Sequence, residues 1–282
     1  TIRFLNSWKG SADMKKLNGT VIVTYRCNGH CTMCSRYKEP SCPEEELTLE
    51  TIRKLPSMYF TNITGGEPFL REDLREIVRE LYKKSDRIVI STNGFFTERI
   101  IELCKEFPQL GIRISIEGLE ETNNAIRGLD DGFRRGYETL NTLKEMGMKD
   151  IGFGMTVQDR NASDLLPLYR LSDELDMEFA TASLHNSFYF VEAKNIIHDR
   201  PMVAKNFEDL VNELLIPHFT AQEKFMRMKH NGRLAWLKNL LRSAHGRELL
   251  KKAAEAGKQR RLMQKQQALA EVKLKNRPLS PH

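Results

Sequence analysis

The sequence predicts an α/β fold, and two observations carry that prediction. Between residues 20 and 182, short β-rich apolar runs alternate with amphipathic stretches of helical period, the pattern of βα units around a parallel sheet. The composition, 40% hydrophobic and 29% charged over 282 residues, is that of a globular protein long enough for one large α/β domain, alone or with an appendage. Six strands are expected: VIVTY from Val21, YFTNI from Tyr59, RIVIS from Arg87, IRISI from Ile112, GFGMTV from Gly152 and EFATA from Glu178. Helices are expected between them at residues 49–55, 73–84, 98–107, 133–146 and 164–174. Ser163 can cap the fifth helix through its hydroxyl, and Gly147 can end the fourth by taking a left-handed conformation.

Alternation alone does not separate a barrel from an open doubly wound sheet. In either case parallel strands joined by helices end on one edge, so the residues that follow each strand converge there as a site. The alternation stops after about Lys194, which divides the chain into an N-terminal extension (1–19), a core (20–193) and a C-terminal helical, basic tail (194–282). Leu234, Leu237, Leu240 and Leu241 form an apolar stripe at helical spacing within that tail, and residues 276–282, with two prolines, are expected to fray. The net charge of +6 belongs to the tail alone. Residues 221–282 hold 16 Lys or Arg against 4 Asp or Glu, whereas residues 1–220 are net negative. A solvated helical face accounts for such a charge run, so nucleic acid is not expected as a partner.

No stretch is long and apolar enough for a membrane span, and residues 1–16 lack the apolar run of a signal peptide, so the expected location is the cytoplasm. The five cysteines are odd in number. Three of them crowd into eight positions, which suits a metal or redox site in a reducing compartment better than a disulfide framework.

Those three, Cys27, Cys31 and Cys34, lie in VTYRCNGHCTMCSRYKE with C-x3-C-x2-C spacing directly after the first strand. Thiolate is a soft donor suited to iron-sulfur clusters, and three ligands leave the fourth iron of a cubane open to an outside ligand. A structural zinc with His30 as fourth ligand, or three unrelated buried cysteines, are the alternatives that spacing leaves open. Cys104, inside a helical stretch, reads as a small buried hydrophobe, and Cys42, before Pro43, as an ordinary loop residue.

With this spacing the sequence resembles the radical SAM superfamily, over roughly residues 21–182 and not over the tail. The resemblance implies a partial (β/α)6 TIM-like barrel, to which the tail is expected to add a C-terminal helical appendage. It also implies a [4Fe-4S] cluster on Cys27, Cys31 and Cys34 that binds S-adenosyl-L-methionine (SAM) through its open iron. Reductive cleavage would then give a 5′-deoxyadenosyl radical that abstracts a hydrogen atom from substrate. Met33 departs from the family pattern, which usually has an aromatic residue before the third cysteine, near the adenine.

The second strand ends in TGGEPFLRED. Gly65 and Gly66 let a ligand approach the backbone closely, and Gly65, Gly66, Glu67 and Pro68 resemble the family motif that binds the amino group of SAM. The third strand ends in STNG, whose Ser91 and Asn93 resemble residues around the ribose and the methionine carboxylate. In the fourth, Ser115 and Glu117 share one face by strand alternation. Glu117 there can accept from the ribose hydroxyls, or else form a buried ion pair with Arg113 or Arg127. Arg127 resembles the family arginine near the methionine carboxylate, and its fork suits a carboxylate. Val157, in the fifth strand, is expected to give adenine an apolar and backbone surface. His185 follows the sixth strand and reads as a surface histidine, with a substrate-facing role as the alternative.

The expected partners are an unidentified small-molecule, peptide or lipid-precursor substrate and an electron donor such as ferredoxin or flavodoxin. The competing reading is a non-catalytic iron-sulfur or zinc protein with a degenerate or truncated C-terminal region. No cysteine follows Cys104, so the auxiliary clusters that many relatives carry in a C-terminal extension have no ligands in this chain.

Overall fold

The computed structural model describes residues 2–5, 17–186 and 194–215. The chain divides into two units, Thr1–Asn206 and Phe207–His282, and the sheet and the candidate site belong to the first. The apolar stripe and the frayed end expected in the tail lie outside the described residues.

All six expected strands are present as β2 (Leu17–Thr24), β3 (Met58–Gly65), β4 (Ser85–Thr92), β5 (Gly111–Ser115), β6 (Ile151–Val157) and β7 (Glu178–Ser183). They run parallel in sequential order. One more strand, β1 (Ile2–Leu5), lies antiparallel against β2 with Ile2 opposite Val21. Four residues carry too little periodicity to be read from sequence. The helices are α1 (Leu49–Arg53), α2 (Leu74–Tyr82), α3 (Thr97–Glu106), α4 (Glu120–Arg127), α5 (Gly132–Glu145), α6 (Leu165–Glu174) and α7 (Arg200–Leu210). Helix α4 was not anticipated, because EETNNAIR has almost no apolar stripe and buries only Asn123, Ile126 and Arg127. Gly147 ends α5 as expected. At φ 83° its N–H reaches Lys144 O while the Met148 N–H reaches Leu143 O. Ser163 does not cap α6: it lies inside a 3-10 turn (Ala162–Asp164), and the residue before the helix, Asp164, makes no side-chain capping bond.

The two faces of the sheet follow from β5. Gly136 of α5 is so close that a methyl group there would lie 3.0 Å from Ile114 Cγ2 and 3.4 Å from Ile116 Cδ1. The isoleucine face of β5 therefore packs on helices, and Arg113, Ser115 and Glu117 face the other way, into the lumen. Ile77, Leu81, Ile100, Leu140, Leu143 and Leu165 of the helices and Ile63, Ile88, Ile90, Ile112, Ile114 and Phe153 of the strands are fully buried in this layer. Each contributes about 1.5–3 kcal/mol by burial.

The sheet is curled into a partial barrel, as the family resemblance implied. One residue bridges the segments that follow the first and last of the parallel strands. Asn195 donates to Met33 O (2.9 Å), beyond β2, and to His185 O (3.3 Å), beyond β7. At the N-terminal end of the strands a charge cluster closes the lumen. Arg87 forks onto Asp150 (2.7 and 2.8 Å), and Arg113 bonds Asp150 Oδ1 (2.6 Å) and Glu178. Burial alone would raise the Asp150 pKa, but Arg87 and Arg113 hold it below the ordinary carboxylate value. The stability it contributes is therefore complete above about pH 4 and lost as the pH falls through its depressed pKa. Asp150→Ala, which strips the nearly buried Arg113 of its main partner, should cost about 3 kcal/mol at neutral pH. In denaturant unfolding that deficit should shrink as the pH is lowered below 4.

Candidate active site at the C-terminal edge of the sheet

The cysteine loop leaves β2 and is held from two sides. On one side the Gly66 N–H donates to Thr24 O (2.9 Å) and the Glu67 N–H to Arg26 O (2.8 Å). On the other, the His30 N–H donates to Arg127 O (3.1 Å) and the Thr32 N–H to Ile126 O (2.9 Å), so the end of α4 acts as a backrest. Within the loop the Gly29 N–H points at Cys27 Sγ (3.4 Å) and the Cys34 N–H at Cys31 O (3.1 Å). Cys27, Cys31 and Cys34 are free, half-buried thiols. Burial pushes Cys27 up to about 11 and raises Cys31 and Cys34 too. Loading a metal here therefore expels protons.

The glycine pair serves this loop more directly than it serves a ligand. A side chain on Gly65 would collide with Thr24 O, and one on Gly66 with Arg26 O. The amides of Gly66 and Glu67 are already bonded to the carbonyls of Thr24 and Arg26.

Glu67 is wholly buried. Its Oε1 accepts from the Phe69 N–H (3.0 Å) and Thr92 Oγ1 (2.7 Å), its Oε2 from the Asn93 N–H (2.7 Å). Burial pushes its pKa up, and these donors together with Arg127 pull against that rise. Pro68 opens the 3-10 turn that brings Phe69 into range. Asn93 continues the relay, with Nδ2 donating to Asn28 Oδ1 (2.7 Å) and Oδ1 accepting from the Phe95 N–H (3.0 Å).

At the next exit Glu117, 2% exposed, pairs with Arg127 Nη1 (3.2 Å) and accepts the Thr156 N–H (2.7 Å). Of the two arginines considered for it, Arg127 is the partner, while Arg113 is committed to the charge cluster. Burial raises the Glu117 pKa despite Arg127. Burial would lower that of Arg127, but Cys31, Glu117, Cys27 and Glu67 keep it above its ordinary value. Arg127 Nε is buried without a partner.

The remaining expected residues are placed unevenly. Ser91 donates to Asn62 Oδ1 (3.0 Å). Ser115, half-buried, shares the lumen face with Glu117. Met33 is buried, with its sulfur 3.5 Å from Gln158 Nε2. Val157 alternates with half-buried Gly154 and Thr156, so its fully buried side chain joins Phe153 and Met155 on the helix face. Its carbonyl is taken by the Leu184 N–H (2.9 Å), which corrects the expectation of an adenine surface there. His185 is exposed, with Nδ1 2.9 Å from Ser183 O, and Cys104 is buried, as expected for each. Sequence reasoning missed Asn28, Gln158 and Asn195. It also missed Glu46, which binds Arg26 (2.9 and 3.0 Å), Ser41 (2.8 Å) and Thr24 below the cysteine loop.

A family model described as the Radical SAM superfamily matches residues 21–171, more than half of the chain. The chain belongs to the radical SAM superfamily. The radical SAM region is 31% identical over 164 residues to Fe-coproporphyrin III synthase of Methanosarcina barkeri, covering 54% of this chain and 40% of that protein. It is 27% identical over 154 residues to the sporulation killing factor maturation protein SkfB of Bacillus subtilis, covering 52% and 37%. The chain thus spans about two fifths of the length of these curated relatives. Streptococcus suis SuiB bound to S-adenosylmethionine shares the fold, with a TM-score of 0.56 at 14% identity over 69% of this chain and 47% of that one. The AdoMet-bound anSMEcpe does so at 0.53 and 19%, over 71% and 60%.

The residues present fit the cluster this superfamily uses. A methyl group on Gly29 would sit 3.7 Å from both Cys27 Sγ and Cys31 Sγ, so the two sulfurs flank one space beside the Arg127 carbonyl. Two buried donors at this loop, Asn28 Nδ2 and Arg127 Nε, lack acceptors, as expected around an anionic group. Among the described residues no three His, Cys, Asp or Glu side chains close on a single ion. A cubane does not ask for that, because each thiolate binds a different iron.

Gly66→Ala tests the backbone clamp. It should break the Glu67–Arg26 bond and cut the iron retained per chain after reconstitution by about 10-fold or more, the scale of losing an outer-shell support.

Proposed function

We propose that the chain is a radical SAM enzyme in which Cys27, Cys31 and Cys34 hold a [4Fe-4S] cluster with one iron left for SAM, and that its reaction begins by taking a hydrogen atom from substrate. The observation that carries this reading is the set of three thiols at the β2 exit, in a loop with buried donors that lack acceptors, inside a superfamily match over residues 21–171. The cluster, when bound, supplies one electron to the sulfonium of SAM, whose cleavage gives methionine and the 5′-deoxyadenosyl radical.

The protein binds and orients. Arg127, with Nε free of any partner in the fold, would hold the methionine carboxylate. Glu67 keeps on Oε2 a lone pair that Asn93 does not use, available to the ammonium. Gly65, Gly66 and Pro68 hold Glu67 in place for that contact. Glu117 keeps a second lone pair on each oxygen for ribose hydroxyls, with Ser115 beside it. Ser91 and Asn93 brace this wall. Adenine is left to Met33 and to the lumen face of β6, at Gly154 and Thr156.

On this reading residues 20–193 carry the catalytic core, and the segment after them carries the chain's positive charge. The substrate is a small molecule, peptide or lipid precursor, and the electron comes from a donor such as ferredoxin or flavodoxin. Five free cysteines fit a reducing compartment, the cytoplasm. Among the described residues no helix is long and apolar enough to cross a membrane.

Anaerobic protein reconstituted with iron and sulfide and reduced with dithionite should form 5′-deoxyadenosine from SAM. Cys31→Ala should lose at least about 100-fold, beyond the cost of an outer-shell change. Absence of product from a wild type with an intact, reducible four-iron cluster would overturn the enzymatic reading in favour of a binding protein.

A further inference from the structure

Asn28 stands between two residues of the cysteine loop, Cys27 and Gly29, and its side-chain nitrogen is buried without a partner. A chain of contacts decides which end of the amide that nitrogen occupies. The Phe95 N–H can only donate, so the atom 3.0 Å from it is the oxygen of the Asn93 amide. Asn93 Nδ2 is then the atom 2.7 Å from Asn28, and as a donor it must meet Asn28 Oδ1. Asn28 Nδ2 is left as the orphan, with two protons to give. Nor is the side chain free to turn toward another acceptor, because Asn93 is itself fixed through its backbone N–H to the buried Glu67.

A buried amide nitrogen without an acceptor is unfavourable unless a ligand supplies one. The neighbouring groups are donors too. The Gly29 N–H already points at Cys27 Sγ, and the guanidinium of Arg127 behind the loop has an unpartnered Nε of its own. Buried donors that the fold leaves without acceptors fit an anionic occupant that supplies them. Asn28 belongs to the loop that carries the three thiols, so the nearest such occupant is what those thiols hold.

We infer that Asn28 Nδ2 donates a hydrogen bond to a sulfur of the cluster on Cys27, Cys31 and Cys34 and thereby raises its reduction potential. The inference rests on the proposed cluster-binding function. A hydrogen bond to cluster sulfur favours the reduced form, which carries one more negative charge. Asn28 thus keeps the cluster within reach of a biological one-electron donor, and the relay from Glu67 through Asn93 is what aims it. Asn28 is a positioning and tuning residue: it touches the cluster and not the substrate.

The test is potentiometry followed by electron paramagnetic resonance, without SAM, on anaerobically reconstituted samples matched for iron content. Asn28→Leu removes acceptor and donors together. Asn28→Asp keeps the acceptor for Asn93 and removes the donors. Both should reduce about tenfold less favourably, a shift of about 59 mV to more negative potential for one electron. Asn28→Asp should fall further because of its charge. As an independent readout, wild type containing asparagine labelled with nitrogen-15 only in the side-chain amide should show that nitrogen coupled to the reduced cluster in pulsed resonance spectra. Unchanged potentials in loaded variants would overturn the inference. So would unchanged potentials with weakened SAM binding, which would assign the donor to SAM instead. If the variants fail to load, the labelled wild type decides, and absence of the coupling overturns the inference. A wild type that assembles no four-iron cluster would overturn the proposed function itself.

Discussion

The carboxylate of Glu67 is the constraint on which the rest of the site depends. It is fully buried, where an uncompensated charge costs several kcal/mol. Its surroundings answer with three donors from two strand exits: the turn after β3 through Phe69, and the end of β4 through Thr92 and Asn93. Its own N–H holds the β2 exit through Arg26. Three consecutive loops are thereby locked to one residue. Charge-assisted bonds of this kind are roughly twice as strong as neutral ones. Loops that carry function are ordinarily the mobile part of a fold, and here the cysteine loop is tied down before any metal arrives.

The same device recurs around the edge. Glu117 joins the β5 exit to the end of α4 through Arg127 and to β6 through the Thr156 N–H. Beneath the cysteine loop Glu46 gathers Thr24, Arg26 and Ser41, while Arg71 reaches Val23 O (2.9 Å) and forks onto Asp73. Each brace uses a carboxylate to hold separate chain segments together. Buried polar groups are satisfied by the fold first, and only what is left over is available for chemistry.

That ordering explains what was legible in the sequence. The six parallel strands were readable because each is a β-rich apolar run between helical patterns, and the thiols because a three-cysteine spacing has few other uses. Helix α4 was not readable, since it is almost without apolar residues. Val157 was misread because one step of strand register decides between lumen and core, and its neighbours Met155 and Phe153 show which side it took. Gly65 and Gly66 were read for the approach of a ligand, and their packing on the carbonyls of Thr24 and Arg26 was not legible because it joins segments some forty residues apart. Asn28, Gln158, Asn195 and Glu46 carry no motif. They act through partners 65, 125, 162 and 20 residues away, separations that no local pattern encodes.

The two ends of the lumen are finished differently, and the difference bears on function. At the N-terminal end Arg87 and Arg113 face Asp150 and Glu178, two charges of each sign. That end is electrically closed and asks for nothing. At the C-terminal end the braces satisfy the carboxylates, yet two buried atoms remain unpaired, Asn28 Nδ2 and Arg127 Nε, and both are donors. The third unpaired atom among the described residues, the Tyr82 hydroxyl, belongs to α2 where that ring stacks on Phe107. This excess of donors is not met by the carboxylates nearby, none of which bonds either atom. It is relieved by adding negative charge with sulfur or oxygen lone pairs, which is what three deprotonated thiols with a bound cluster bring. The fold is therefore complete at one end of the barrel and unfinished at the other, and the unfinished end is the one that carries the cysteines.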